Sequence, residues 1–155
     1  MDIAKATTGY TLRPATAADA VSIRRIIYLV QINPTGLSWR RFIVAVDDEE
    51  RGHIIGCGQV KAHKDSSLEL ASIAVLPEWR GSGVARAIIE YLLKQYPGRL
   101  YLTCRSHLEP LYQKFGFQAI GIDEMPPYFQ RLSRLAAVYN KLTHQPDHLS
   151  VMRRN

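Results

Sequence analysis

The chain has 155 residues, the size of one domain with room for a real core. Its 46% hydrophobic and 22% charged residues exclude a disordered chain, and no apolar run approaches the ~20 residues that span a bilayer. The net charge of +6 fits an anionic partner, but apart from Arg24-Arg25, Arg40-Arg41 and Arg153-Arg154 the cations are scattered, without interleaved aromatics. A phosphate-rich small ligand accounts for that sign, so neither nucleic acid nor membrane is expected as a partner. Met1-Asp2-Ile3-Ala4-Lys5 has no signal-peptide pattern. Cys57 and Cys104 make neither a disulfide framework nor a metal cluster, so a cytoplasmic, metal-free protein is expected.

No repeat or flexible linker interrupts the chain, which reads as one domain with a core over about 8–142 and a flexible tail over 143–155. Tyr10 to Arg13 alternates as a strand that stops at Pro14. Thr16 and Asp19 resemble a capping box, and Ala20, Ile23, Ile26, Ile27 and Val30 follow at helical spacing. Pro34-Thr35-Gly36 is loop. Phe42 to Val46 and Ile54 to Ala62 flank the acidic turn Asp47 to Gly52 as a hairpin, and a further turn leads to a strand over Leu68 to Val75. This is an antiparallel meander.

The pattern then changes. A short loop, Pro77 to Gly83, leads into a helix over Val84 to Gln95 that ends at Pro97-Gly98. Leu100 to Cys104 is a strand, Glu109 to Phe115 a short helix, and Phe117 to Ile122 another strand. After Pro126-Pro127 the expectation is a short helix to about Arg134 and a last strand near Ala136 to Leu142, although Leu132, Leu135, Ala136 and Tyr139 also suit one continuous helix. The fold class is α/β, a mixed and mostly antiparallel sheet with flanking helices.

The most informative segment joins Ile73-Ala74-Val75 to Arg80-Gly81-Ser82-Gly83-Val84-Ala85. A glycine-rich turn between strand and helix aims backbone N–H groups, at the positive end of the helix dipole, toward an anion. There is no Gly-Lys-Ser/Thr ending and no third glycine, so the turn is neither a nucleotide P-loop nor a dinucleotide fingerprint.

Arg80, Gly83 and Ala85 match a pattern, Arg/Gln-x-x-Gly-x-Gly/Ala, that resembles the acetyl-CoA-binding motif of the GNAT superfamily of N-acetyltransferases. Leu111-Tyr112-Gln113-Lys114-Phe115-Gly116-Phe117 is similar to that family's Leu-Tyr-x-Lys-x-Gly-Phe block. The resemblance runs from about Tyr10 to Ile122. It implies that the strands ending at Val75 and Cys104 splay apart around a pantetheine arm. It further implies that the backbone of Ile73, Ala74 and Val75 pairs with that arm, and that the backbone of Arg80, Gly81, Ser82, Gly83, Val84, Ala85 and Arg86 cradles the pyrophosphate. Where the family has Asn, seven residues before the tyrosine, this chain has Arg105, with Arg105 or Ser106 standing in.

Tyr112 matches the family's general acid toward the coenzyme A sulfur; a phenol near pKa ~10 keeps its proton at neutral pH. The bland alternative is an aromatic packing helix on sheet. Glu69 sits on the strand feeding the loop, where alternation puts it on one face with Ala71, Ile73 and Val75. A carboxylate on an apolar face needs a partner or a task, and in several family members a glutamate here is the general base. His107 is a reserve base, and buried strand cysteines such as Cys104 are usually inert. The acceptor site is expected from Ile32 to Trp39 and from Glu124 to Arg131, with Trp39, Tyr128 and Phe129 as an aromatic wall and Asp123 and Glu124 attracting a cation. The implied activity is acetyl transfer from acetyl-CoA to a primary amine in a ternary complex. A non-catalytic acyl-CoA-binding sensor or interaction domain is the alternative, and the oligomeric state is not legible.

Overall fold

Thr16 and Asp19 form the expected reciprocal capping box, with the Asp19 carboxylate accepting from the Thr16 N–H at 2.7 Å. Arg13 clamps the same carboxylate at 2.7 Å, and that hydrogen bond is the main cause holding the Asp19 pKa below its ordinary value. This corner joins β1 (Tyr10–Pro14) to helix α1 (Ala20–Leu29), which buries Ile23, Ile26 and Ile27. The computed structural model describes residues 9–50 and 52–155, so the opening segment Met1 to Lys5 lies outside the described residues.

The remaining strands are β2 (Phe42–Asp47), β3 (Ile54–Ala62), β4 (Leu68–Val75), β5 (Leu100–Arg105), β6 (Gln118–Ala119) and β7 (Leu149–Arg154). They hydrogen-bond in the order β1-β2-β3-β4-β5-β7-β6. The pairs β1–β2, β2–β3, β5–β7 and β6–β7 are antiparallel, and β4–β5 is parallel with one registered pair, Glu69↔Tyr101. The other helices are α2 (Val84–Gln95), α3 (Glu109–Gln113) and α4 (Pro127–Thr143). The fold is mixed α/β as the pattern predicts.

Two compact units divide the chain: one runs through Gln59 and resumes over Ser72–Gln95, the other holds Val60–Ala71 and Tyr96–Asn155. In the first, α2 lies close on β3 because two glycines leave space for it. A Cβ on Gly58 would meet Ile73 at 2.6 Å and Ile88 at 2.7 Å, and one on Gly56 would meet Val84 at 2.9 Å. Ile88 and Leu92, both buried, fill that seam, each worth about 1.5–3 kcal/mol of burial. In the second unit, Tyr101, Phe129 and Val151 form a cluster with Ile120, Met125 and Tyr128 against it.

Two expectations fail. The last strand is not near Ala136 to Leu142: α4 runs unbroken to Thr143 and ends where His144 takes a left-handed φ of 53°. The tail is not loose either. Leu149–Arg154 pairs with β5 at six positions, from Leu100↔Arg154 to Arg105↔Leu149, and buries Ser150, Val151 and Met152. The segment after Phe117 shrinks to the two-residue β6, because a turn of 3-10 helix begins at Ile122.

Candidate active site

In the first unit, β4 leads through a 3-10 turn (Pro77–Trp79) into the glycine-rich segment and then α2. Gly81 and Gly83 both adopt a φ of 82°, a conformation that side chains with a Cβ rarely take. Arg80, Gly81, Ser82 and Gly83 are exposed, while Val84 is buried. Tyr10 braces the turn: its hydroxyl donates to the Gly83 carbonyl at 3.3 Å and its ring meets Trp79 edge-on. The Ala87 N–H reaches the Gly83 carbonyl at 3.0 Å, so the N–H groups of Val84, Ala85 and Arg86 precede this helical bond. The Arg86 side chain is engaged with Glu90 at 2.9 Å on the exposed helix face.

Ser72, just before Ile73-Ala74-Val75, has a φ of 59° in the middle of β4. This left-handed residue interrupts the extended backbone, so the expected alternation from Glu69 through Val75 is broken there. Cys57 on the neighbouring strand is fully buried and burial pushes its thiol up to about 12, which makes it inert.

In the second unit, Glu69 is 5% exposed and has a partner that the sequence reading missed. His63 Nε2 stands 2.7 Å from Glu69 Oε2. The imidazole stacks on Tyr128 at 3.6 Å and meets Phe129 edge-on at 5.7 Å. The hairpin closes this pair: the His63 N–H donates to the Ser67 carbonyl, which sets His63 and Glu69 at the two sides of one turn. Asp65 in the same turn accepts from the Tyr128 N–H at 2.9 Å, at the N-terminus of α4. Burial works against its charge, but the hydrogen bonds from Ser67 and the Tyr128 N–H outweigh that and hold its pKa low. Burial also raises the Tyr128 phenol, with the Glu69 charge adding to it.

Tyr112 sits half-buried on α3 with its ring edge-on to Phe117. Burial, and secondarily Cys104, pushes its phenol up to about 12. Arg105 is exposed at the end of β5. Ser106 is engaged with the segment before β7: its hydroxyl donates to Asp147 at 2.5 Å and its N–H to the His148 carbonyl at 2.8 Å. His107, the reserve base, lies 2.6 Å from the same Asp147, an acid hidden in what reads as a tail. The Ser106 hydrogen bond chiefly, with His107 helping, lowers the Asp147 carboxyl to about 2 despite some desolvation. Cys104 is raised to about 11 by burial, then by Glu109 and Asp147.

The expected aromatic wall is only partly present. Phe129 is fully buried in the core and Tyr128 is committed to His63, whereas Trp39 carries Arg40 over its ring at 4.6 Å. Glu124 is paired with Arg153 at 3.3 Å, and it and Asp123 are both exposed. Among the described residues one grouping has metal-ligand geometry, Asp47, Glu50 and His53 at the hairpin tip.

The sequence model of the Acetyltransferase (GNAT) domain family matches residues 38–119, and the chain belongs to that family. Amino-acid acetyltransferase from Vibrio atlanticus (strain LGP32) is 27% identical over 100 residues, which is 58% of this chain and 22% of that protein. The chain therefore spans about a fifth of that relative. N-acetylglutamate synthase from Neisseria gonorrhoeae, solved with coenzyme A and L-arginine, superposes with a TM-score of 0.69 at 19% identity, over 94% of this chain and 33% of its own. A Mycobacterium tuberculosis protein solved with CoA has a TM-score of 0.69 at 22% identity, over 93% of this chain and 98% of its own. The ribosomal-protein-S18-alanine N-acetyltransferase from Escherichia coli has a TM-score of 0.65 at 17% identity, over 94% and 92%. At these identities the structures speak for the fold. No helix among the described residues is long and apolar enough to cross a membrane.

Proposed function

We propose that this protein is an acetyl-CoA-dependent N-acetyltransferase that transfers the acetyl group directly to a primary amine in a ternary complex. The observation that carries this reading is the exposed turn Arg80–Gly83. Two left-handed glycines free of side chains open its backbone just before the N–H groups of Val84, Ala85 and Arg86. No atom lies within 4 Å of a Cβ built on Gly81, so the backbone there is open to an approaching phosphate. Acetyl-CoA supplies the activated thioester when bound. On this reading the Ile73–Val75 backbone pairs with the pantetheine arm, the backbone from Arg80 to Arg86 holds the pyrophosphate, and Arg105 contacts the cofactor arm.

An amine must lose a proton to attack, and the departing sulfur must gain one. On this reading Glu69 takes the first task, and its buried pair with His63 supports that role. An ionised carboxylate only accepts hydrogen bonds, so a neutral imidazole paired with it carries hydrogen on Nε2 and leaves Nδ1 as a proton acceptor. Tyr112 suits the second task, since burial keeps its phenol protonated well past neutral pH.

Charge narrows the acceptor. From Ala20 through Arg41, the first helix and its loop carry Arg24, Arg25, Arg40 and Arg41 and no carboxylate. Such a surface favours an amine that also bears a carboxylate and repels polyamines and aminoglycosides. The name of the Vibrio relative runs the same way. The test is release of coenzyme A thiol with a panel of free amino acids, peptides, polyamines and aminoglycosides. Turnover that favours carboxylate-bearing amines supports the reading. Tight acetyl-CoA binding with no turnover on any amine would make the chain a non-catalytic acyl-CoA sensor.

A further inference from the structure

Gln59, in the first unit, is 0% exposed and yet uses both ends of its amide. Its Nε2 donates to the Gly36 carbonyl at 3.1 Å and to the Ser72 hydroxyl at 2.8 Å. Its Oε1 accepts from Arg41 Nε at 3.2 Å, and Arg41 sends a second donor to the same Gly36 carbonyl at 2.7 Å. Gly36 is itself left-handed, with a φ of 67°, in the loop between α1 and β2. Ser72 is the left-handed residue of β4, and its carbonyl receives the Cys57 thiol at 3.7 Å. One buried side chain thus ties the carbonyl of a left-handed glycine to the hydroxyl of a left-handed serine, 36 residues apart in sequence (72 − 36).

A buried amide with both donors and its acceptor oxygen engaged belongs to a rigid network, because leaving any partner unpaired costs the full desolvation of that group. A left-handed serine in a strand persists only where its surroundings hold it. The glycine supplies the conformation and the amide supplies the restraint.

We propose that Gln59 is a positioning residue that locks the Asn33–Ser38 loop to the middle of β4 through Gly36 and Ser72. The inference rests on the proposed function for its consequence: the loop lines the amine site, and Ser72 sets the direction of the Ile73–Val75 backbone. Neither Gln59 nor Arg41 exchanges protons with substrate in this scheme. Their contribution is to fix where the amine sits relative to the strand that carries the acetyl donor.

The experiment reads the restraint and its consequence separately. Gln59→Met keeps length and apolar bulk and removes both donors and the acceptor, while Arg41→Met leaves the buried amide in place and removes one support from outside. Backbone hydrogen exchange over residues 33–38 and 72–75 is expected to accelerate by about tenfold in Gln59→Met, the scale of losing one or two net hydrogen bonds, and in Arg41→Met over 33–38 alone. In Gln59→Met, which changes no charge, the KM for the amine is expected to rise by about tenfold with kcat changed by less than about threefold. Unchanged exchange at 33–38 in both variants overturns the proposal, and so does a fall in kcat with the amine KM untouched. Accelerated exchange in a protein that turns over no amine at all upholds the lock and overturns the enzymatic reading instead. Should Gln59→Met fail to fold, Arg41→Met and Ser72→Ala carry the test from the exposed and the strand side.

Discussion

His63 Nε2 lies 2.7 Å from Glu69 Oε2, and the two side chains are only 12% and 7% exposed. A pair so placed serves either the hairpin or the proton, and the two roles separate by substitution. Glu69→Gln keeps the hydrogen bond and removes the charge. Its rate at neutral pH is expected to fall by ~10² to 10⁴ with partial recovery at high pH, where the amine deprotonates unaided. His63→Ala strands a buried carboxylate and is expected to cost stability as well, about 3 kcal/mol. A Glu69→Gln protein with the wild-type rate from acid to alkaline pH would assign the pair to structure.

Tyr112→Phe retains the ring against Phe117 and removes the hydroxyl. Turnover is expected to drop by ~10² to 10⁴ while acetyl-CoA affinity and Tm hold. Because burial raises this phenol to about 12, its proton is present at all lower pH, and its loss limits the wild-type rate only on the far alkaline side. A lower Tm with an unchanged rate per folded molecule assigns the ring to packing.

Gly83→Asp places a Cβ and a negative charge at a φ of 82°. Acetyl-CoA affinity measured by calorimetry is expected to fall by at least about tenfold, through strain and repulsion of the pyrophosphate together. The far-ultraviolet spectrum stays native. Wild-type affinity in the variant rejects the turn as the phosphate site.

Asp147 ties Ser106 and His107 to the loop before β7. Its folded pKa, about 2, lies below the ordinary 3.8, so the clip contributes stability that is fully present above about pH 4. That contribution is lost as pH falls from about 4 toward about 2. Asp147→Asn is expected to remove this acid limb from the Tm profile and to speed exchange in 149–154. An identical acid limb in the variant places it on other carboxylates.

Helix α2 is legible to the residue because Val84, Ile88 and Leu92 share a face and Pro97-Gly98 forbids continuation. The meander is equally plain from its turn chemistry. Strand β7 is not, since Leu149–Arg154 alternates weakly, ends in two arginines and becomes a strand only by pairing with β5 and β6. Continuous α4 was one of two patterns that Leu132 to Tyr139 satisfied, and only packing chose between them. The turn at Gly81 and Gly83 stands out through composition, but His63 and Asp147 do not. Their partners are fixed by hairpin register and by β7, neither of which local sequence encodes. Ser72 is hidden for a related reason, since nothing in a serine announces a left-handed φ.

Strand β5 and its antiparallel neighbour are far apart in the order of synthesis, with Leu100 opposite Arg154. A ribosome must therefore add 54 residues (154 − 100) after Leu100 before that edge of β5 can be covered. During that interval an apolar strand edge, Leu100-Tyr101-Leu102, stands open to any other extended chain. Slow translation across α4 lengthens the exposure and rapid translation shortens it. Recovery of properly folded protein from cells should thus depend on elongation speed over residues 106–148 more than over the meander, whose strands meet their partners within a single hairpin.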